Sequence, residues 1–373
     1  MSHAYTPGLR ITERAVLRRE RRLPLRGEVR VARGEAVEAD RVVARTELPG
    51  NVQTVNVASK LSVDPAKVPE ALVIPVGGAV KTGDVIARGR SLFGLVRNTV
   101  EAPVAGVIES VSSVTGQLIL REPPIPVEVN AYVRGTVVEV LPEEGVVIET
   151  RAALLQGIFG VGGEVSGDLA MVTASPTDEL TPDRLRPEHR GRVVVGGAYV
   201  SFAALERARD LGVAAVVVGG FDDSDLRQLL GRDLGVAITG SEELGFTLVL
   251  TEGFGRIRMS ERAWRLLTAH EGHQASVSGA TQIRAGVLRP EILIPLEGDA
   301  GAPPAAESAT GLDVGSLVRV IRPPHFGRTG RVVELPTELE VLDTEARVRV
   351  LVVEFADAER AVIPRSNVEI ISP

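Results

Sequence analysis

The chain of 373 residues contains no cysteine. That absence excludes disulfides, thiolate metal sites, iron–sulfur clusters and cysteine nucleophiles. Lysine is almost as scarce: it occurs at Lys60, Lys67 and Lys81, and every other basic residue is arginine. Such an arginine bias fits a GC-rich genome or a thermophile. Aromatic residues are 3% of the chain against 44% hydrophobic residues in all, so its cores are built from Val, Leu, Ile and Ala. No apolar run approaches the roughly 20 residues that span a bilayer. The N-terminus lacks the apolar core of a secretion signal. A cytoplasmic location without membrane contact is expected.

What is present is valine, glycine and unevenly placed charge. The 39 glycines among Val-rich runs point to many short strands joined by tight turns. Net charge is −7, which argues against a polyanion binder as a whole. Yet residues 1–33 hold nine arginines against Glu13, Glu20 and Glu28. Residues 1–25 read as a basic arm, either solvated and packed on an acidic neighbour or in contact with nucleic acid or acidic lipid.

Two Pro-containing breaks, 173–190 and 297–312, divide the chain. They leave a β-rich region at 26–172, an α/β domain at 191–296 and a small β module at 313–373. In the first region, 27–44 and 77–87 share a weak pattern of glycine, valine and turn, read as repeated strand–turn–strand units. The glycine-rich stretch 156–167 reads as a close-packed loop. In the central region, Arg192–Gly196 and Val213–Val218 read as buried parallel strands. Ser201 is expected to cap a helix ending at Gly212, and Ser260 a helix carrying Trp264. A further helix through Leu230 and strands at Gly235–Thr239 and Phe246–Leu250 complete a small α/β sheet with right-handed crossovers. At the C-terminus, strands about 10 residues apart predict a small barrel. The fold class is therefore multidomain and mainly β, with a central α/β domain.

Two stretches carry resemblances. Gly78, Val80, Lys81, Gly83, Asp84, Val85, Ile86 and Ala87, followed by Ala102-Pro103-Val104-Ala105-Gly106-Val107-Ile108, resemble the barrel-sandwich hybrid of biotinyl and lipoyl carrier domains. Such carriers place an acylatable lysine at a hairpin tip between these halves. Here the interval Arg88–Thr99 contains none, and arginine is not a usable amine nucleophile. No cofactor is expected. The same hybrid serves as a structural domain in Rnf/Nqr-type electron-transport subunits and in RNA polymerase large subunits. Val314–Leu335 resembles a KOW module of ribosomal proteins and NusG-type factors, an SH3-like barrel. The resemblance implies contact with RNA, polymerase or ribosomal protein, and it singles out His325, Phe326, Arg328 and Arg331 near the loop. Residues 311–373 hold eight arginines and ten acids, so the module has no net basic footprint. The combination of modules resembles a bacterial protein.

Candidate chemistry is sparse. Gly196, Gly197, Gly219 and Gly220 each follow a strand and precede a capped helix, where an anion such as phosphate or carboxylate binds in open α/β sheets. Tight turning alone also explains them. His270 and His273 flank a helix-breaking Gly272, so no metal is expected there. Arg256, Arg258, Arg284 and Arg289 either clamp an acidic partner or are solvated. No catalytic residues emerge. The expected function is a non-catalytic scaffold that binds protein. The alternatives are an enzyme or sensor for a phosphorylated small molecule in the α/β domain, and RNA binding by the arm and the C-terminal loop.

Overall fold

The computed structural model describes residues 10–89, 98–222, 225, 228, 244–281, 288–297, 312–320, 322, 324–325, 328–336, 338–341, 347–356 and 358–370. The described chain is mainly β, arranged in several sheets. The expected helix through Leu230, the strand at Gly235–Thr239 and most of the 297–312 segment lie outside the described residues.

The N-terminal half is built from short strands: β1 (Ile11–Arg22), β2 (Glu28–Val29), β3 (Ala36–Val37), β4 (Val42–Leu48) and β5 (Val52–Asn56). Two short helices, α1 (Val57–Leu61) and α2 (Val68–Ala71), precede β6 (Ala79–Val80), β7 (Val85–Arg88), β8 (Thr99–Glu101), β9 (Gly106–Val111), β10 (Gln117–Arg121) and β11 (Ile125–Asn130). A four-stranded sheet in the order β5-β10-β9-β6 and the β7-β8 pair enclose an aliphatic core that includes Val55, Ile86, Ile108, Leu118 and Leu120. The weak internal repeat has a physical counterpart. In one turn the Ala32 amide donates to the Glu35 carboxylate (2.9 Å) and the Glu35 amide to the Ala32 carbonyl (3.1 Å). In the other, Lys81 and Asp84 make the same two bonds at 2.8 and 3.0 Å. Both turns pass through a glycine of positive φ, Gly34 at 88° and Gly83 at 87°, a conformation open to a residue without Cβ.

A 13-stranded mixed sheet dominates the molecule. Its N-terminal strands are β1, β3, β12 (Gly135–Leu141) and β13 (Gly145–Gln156). Then come β14 (Phe159–Val161), β15 (Glu164–Met171), β16 (Glu179–Leu180), β17 (Val193–Val195), β18 (Tyr199–Val200), helix α3 (Phe202–Leu211) and β19 (Ala215–Phe221). They are followed by β20 (Thr247–Phe254), helix α4 (Glu261–Ala269), β21 (Gln274–Ser278) and β22 (Glu291–Pro295). Strands β15, β17, β19 and β20 run parallel and adjacent. Their uninterrupted Val and Leu runs follow from burial on both faces. Val194, Val216 and Leu248 pack toward α3, whereas Val193, Val195 and Val217 pack toward α4. Both helices end as their sequences require. Ser201 and Ser260 side chains accept the Ala204 and Ala263 amides, and Gly212 closes α3 at φ 72°.

Several expectations change here. The glycine-rich stretch 156–167 is not a loop; it supplies β14 and the start of β15. A Cβ on Gly160 would stand 2.8 Å from the Gly279 carbonyl oxygen, so glycine here permits close backbone packing. Segment 173–190 carries β16 and two 3-10 turns and crosses between β15 and β17 of one sheet. Within the basic arm, residues 11–22 form a 12-residue strand, β1, paired along β13. β13 is the seam of the molecule. Its Ala153 and Leu155 face the α/β core, while Ala152, Leu154 and Ile148 face the core formed with Val43, Tyr132 and Val137.

The C-terminal module is a separate six-stranded sheet: β23 (Leu317–Val320), β24 (Thr329–Glu334), β25 (Leu339–Val341), β26 (Arg347–Phe355), β27 (Arg360–Pro364) and β28 (Val368–Ile370). A 3-10 turn at Arg365–Asn367 precedes β28, which returns to pair with β23. Val318, Val320, Val332, Leu351, Val353 and Phe355 fill its interior. Among the described residues, no helix is long and apolar enough to cross a membrane.

Candidate functional site at the ends of the parallel strands

In open α/β sheets ligands bind beyond the carboxyl ends of the parallel strands. Here three such ends lie side by side and read VVVGG, VVVGGF and VLTEGF. Gly219 and Gly220 are not in the loop after β19; they lie inside it, because neighbouring main chain comes too close for any side chain. A Cβ on Gly219 would stand 2.1 Å from the Ile257 carbonyl oxygen, and one on Gly220 would stand 2.0 Å from that of Gly255. At Gly197 the carbonyl oxygens of Asp178 and Ser175 lie 2.5 Å from the same position, and at Gly196 the Val218 side chain lies at 2.9 Å. Main-chain bonds stitch these segments together: Gly219 N–H to Gly197 O (2.8 Å), Gly255 N–H to Phe221 O (2.9 Å) and Met259 N–H to Pro176 O (3.1 Å). Gly197, Gly219 and Gly220 therefore seat backbone against backbone, and Gly196 seats against the Val218 and Leu180 side chains. They stand together at the strand ends, where close packing accounts for glycine at each position.

Charged groups at the same edge are also satisfied internally. Glu252, near the end of β20, is 6% exposed. One carboxylate oxygen accepts the Ser260 amide at the start of α4 (2.9 Å), and the other accepts Arg319 Nη2 at 2.6 Å. An internal carboxylate thus occupies the helix N-terminus that would attract an exogenous anion. Arg319 comes from β23 of the C-terminal module and is 1% exposed.

No family model and no curated protein matches this chain.

At the end of β19, the buried Tyr199 hydroxyl donates to the Asp222 carboxylate (3.1 Å), and Arg256 stacks 4.3 Å from the Tyr199 ring centroid while bonding Glu179 (2.6 Å). Burial, and then the hydrogen bond to Asp222, push the Tyr199 hydroxyl up to about 12. The arginines expected around this domain divide accordingly. Arg256 pairs with Glu179 and Arg258 with Glu261, whereas Arg284 lies outside the described residues. Arg289 also makes contacts within the chain.

The loop residues of the C-terminal module are engaged within it. Arg328 stacks on Phe355 at 3.9 Å and bonds Glu359 at 2.6 Å. The His325 ring sits 5.2 Å from that of Phe355. Arg331 donates to the Gly315 carbonyl at 2.8 Å. Phe326 lies outside the described residues. This arrangement fits an ordinary cover over the end of the barrel. His270 and His273 each direct Nδ1 to a main-chain carbonyl, of Leu266 (2.8 Å) and His270 (3.2 Å). Among the described residues no group of three or more His, Cys, Asp or Glu side chains is placed to hold a metal.

Four arginines of β1 meet acids from far along the chain. Arg18 meets Glu149, Arg21 meets Glu164, Arg22 meets Glu144, and Arg19 makes a bidentate pair with Glu291 at 2.8 and 2.5 Å. Tyr132 joins that last pair, with its hydroxyl 3.4 Å from Glu291.

Sequence reasoning missed Glu252, Arg319 and Tyr199. One signal was available for Glu252: a carboxylate at the end of the apolar run Leu248-Val249-Leu250 must find a partner if buried. For Arg319 the alternation in Leu317–Val320 correctly sends the side chain out of the barrel. It does not reveal that another domain covers that face.

Proposed function

We propose that this chain is a non-catalytic cytoplasmic scaffold that binds other macromolecules, protein foremost, through rigid β modules. In this reading the β-rich region 26–172 contains a barrel-sandwich hybrid without a carrier lysine. Residues 313–373 are a KOW-like SH3 barrel, a reading supported by the 3-10 turn before the last strand and by the return of that strand to the first. The observation that supports the proposal is that charged groups at the strand ends are paired within the chain: Glu252 with Arg319 and the Ser260 amide, and Arg256 with Glu179. Surface shape is then the means of action. The internal pairing of the β1 arginines weighs against the arm as a nucleic-acid footprint.

The test uses the tagged full chain in lysate of its source organism, beside a thermal-shift panel of nucleotides and sugar phosphates. A stoichiometric protein partner and no stabilisation by the panel are expected. Stabilisation by a panel member without any stoichiometric protein would replace the scaffold with a sensor or enzyme. An RNA partner whose affinity falls steeply with salt would replace it with RNA binding.

A further inference from the structure

The amino edge of the parallel strands is built differently from their carboxyl ends. Arg192 stands directly before β17, Gly212 shortly before β19 and Gly245 shortly before β20, and these three strands run parallel and adjacent. Gly191, Gly212 and Gly245 all have positive φ, at 71°, 72° and 82°. The Gly191 amide donates to the Gly212 carbonyl at 2.8 Å. A Cβ at Gly191 would meet nothing within 4 Å. One at Gly212 would meet only the Arg190 side chain, nearest at 3.8 Å, and one at Gly245 only that of Arg209, nearest at 3.4 Å. The edge is thus a floor of bare main chain with arginine stems laid across it.

These arginines lack the pairing seen in β1 and at Arg256. Arg190, Arg192 and Arg209 are exposed, and among the described residues none of them pairs with a carboxylate. Arg186 stands near them with one loose partner, Glu188 at 3.9 Å. His189 lies in the same turn: the Arg186 amide donates to its Nδ1 at 3.1 Å. Burial first, and then the Arg192 and Arg186 cations against the opposing Glu188, hold the His189 pKa below its ordinary value. The kind of anion that suits this surface is limited by its surroundings. The whole chain carries a net charge of −7. With a Debye length of about 8 Å, the arginines attract at contact, whereas a polyanion running on past them meets a net negative protein. The cluster holds no aromatic residue on which a base would stack. A glycine floor admits the close approach of another main chain, and guanidinium groups fork onto carboxylates.

We propose that this amino-edge surface binds a short, extended acidic segment of a partner protein, with its carboxylates on Arg190, Arg192 and Arg209 and its main chain along Gly191, Gly212 and Gly245. The proposal rests on the scaffold reading and gives one partner of that scaffold its chemistry.

The probe is a fluorescein-labelled decaglutamate peptide, titrated with the full chain and followed by anisotropy at low and at physiological salt. The parent chain should bind it, more weakly as salt rises. The variant R190E/R192E turns two attractions into repulsions and should weaken binding by about tenfold or more. R190Q/R192Q, which removes the attraction without reversing it, should fall between the two and serves alone if the reversal disturbs folding. R347E/R349E makes the same change in net charge at exposed positions of β26 in the C-terminal module and should leave affinity within about twofold. Absence of binding by the parent chain at low salt, or equal losses in R190E/R192E and R347E/R349E, would overturn the proposal and leave the scaffold, whose own test is capture of a partner. Tighter binding of a decauridylate through the same arginines would overturn it too, with an RNA backbone in place of the acidic peptide.

Discussion

Replacing Gly219 by alanine tests whether the glycines at the strand ends serve close packing or a ligand. The new Cβ would lie 2.1 Å from the Ile257 carbonyl oxygen, whereas real Cβ contacts essentially never fall under 3.0 Å. The segment crossing the strand end must therefore retreat by about 1 Å. It has little room to do so: the Met259 amide at 3.0 Å and the Gly197 carbonyl at 3.2 Å flank the same position. Met259 itself is buried in the core under α4. Overpacking of a dense core costs about 1–3 kcal/mol. The obstacle is main chain rather than a movable side-chain tip, which places Gly219→Ala in the upper part, about 2–3 kcal/mol. The single tryptophan, Trp264, packs against this core and reports its unfolding by fluorescence. With a urea slope of about 3 kcal/mol per molar, the midpoint should fall by roughly 0.7–1 M. A midpoint within about 0.2 M of the parent chain, well inside the effect of an ordinary surface substitution, would refute the packing argument.

Two further outcomes follow from the same geometry. The folded-state pKa of Tyr199, raised to about 12, means that the folded chain holds this proton more tightly than the unfolded one. Its contribution is fully present below pH 10 and is lost as pH rises from 10 toward 12, so Tyr199→Phe should show a shallower loss of stability across that window in urea titrations. A parallel pH profile for the two chains would remove the assignment. Arg19→Met should lower stability by about 1–3 kcal/mol, since Glu291, with a side chain 14% exposed, loses both guanidinium hydrogen bonds. An unchanged urea midpoint for this variant would mean that β1 is not an integral strand.

The parts of this fold legible in the sequence are those fixed by neighbouring residues. Ser201 and Gly212 bracket α3, and Ser260 opens α4, because caps act within one turn. The valine-rich runs of the C-terminal module, spaced about 10 residues apart, likewise fall in strands β23, β24 and β26. The misreadings share a different cause. Gly160, Gly219 and Gly220 suggest loops to a local reading, yet they lie in strands because a distant main chain presses on each. The arginines of β1 suggest an arm packed on an acidic neighbour, and the acids prove to lie in this chain, at positions 149, 164 and 291, with the segment 11–22 a strand. Prolines at 182 and 187 suggest a spacer, yet they open 3-10 turns inside a crossover. The strand-end site was legible as a location and not as a finished structure, because the residue completing it, Arg319, belongs to another module.

The pairing of β1 with β13 has a consequence for synthesis on the ribosome. β1 must wait for more than 120 residues before its ladder partner is made, and Arg19 waits 272 residues for Glu291. Closing so long a loop onto β13 is slow, and the edge of β13 at 152–156 stays unpaired until β22 is made. Maturation of the large sheet is therefore a late event in translation. A nascent chain stalled before residue 291 should expose an unpaired strand edge, which is the surface that chaperones and aggregation compete for.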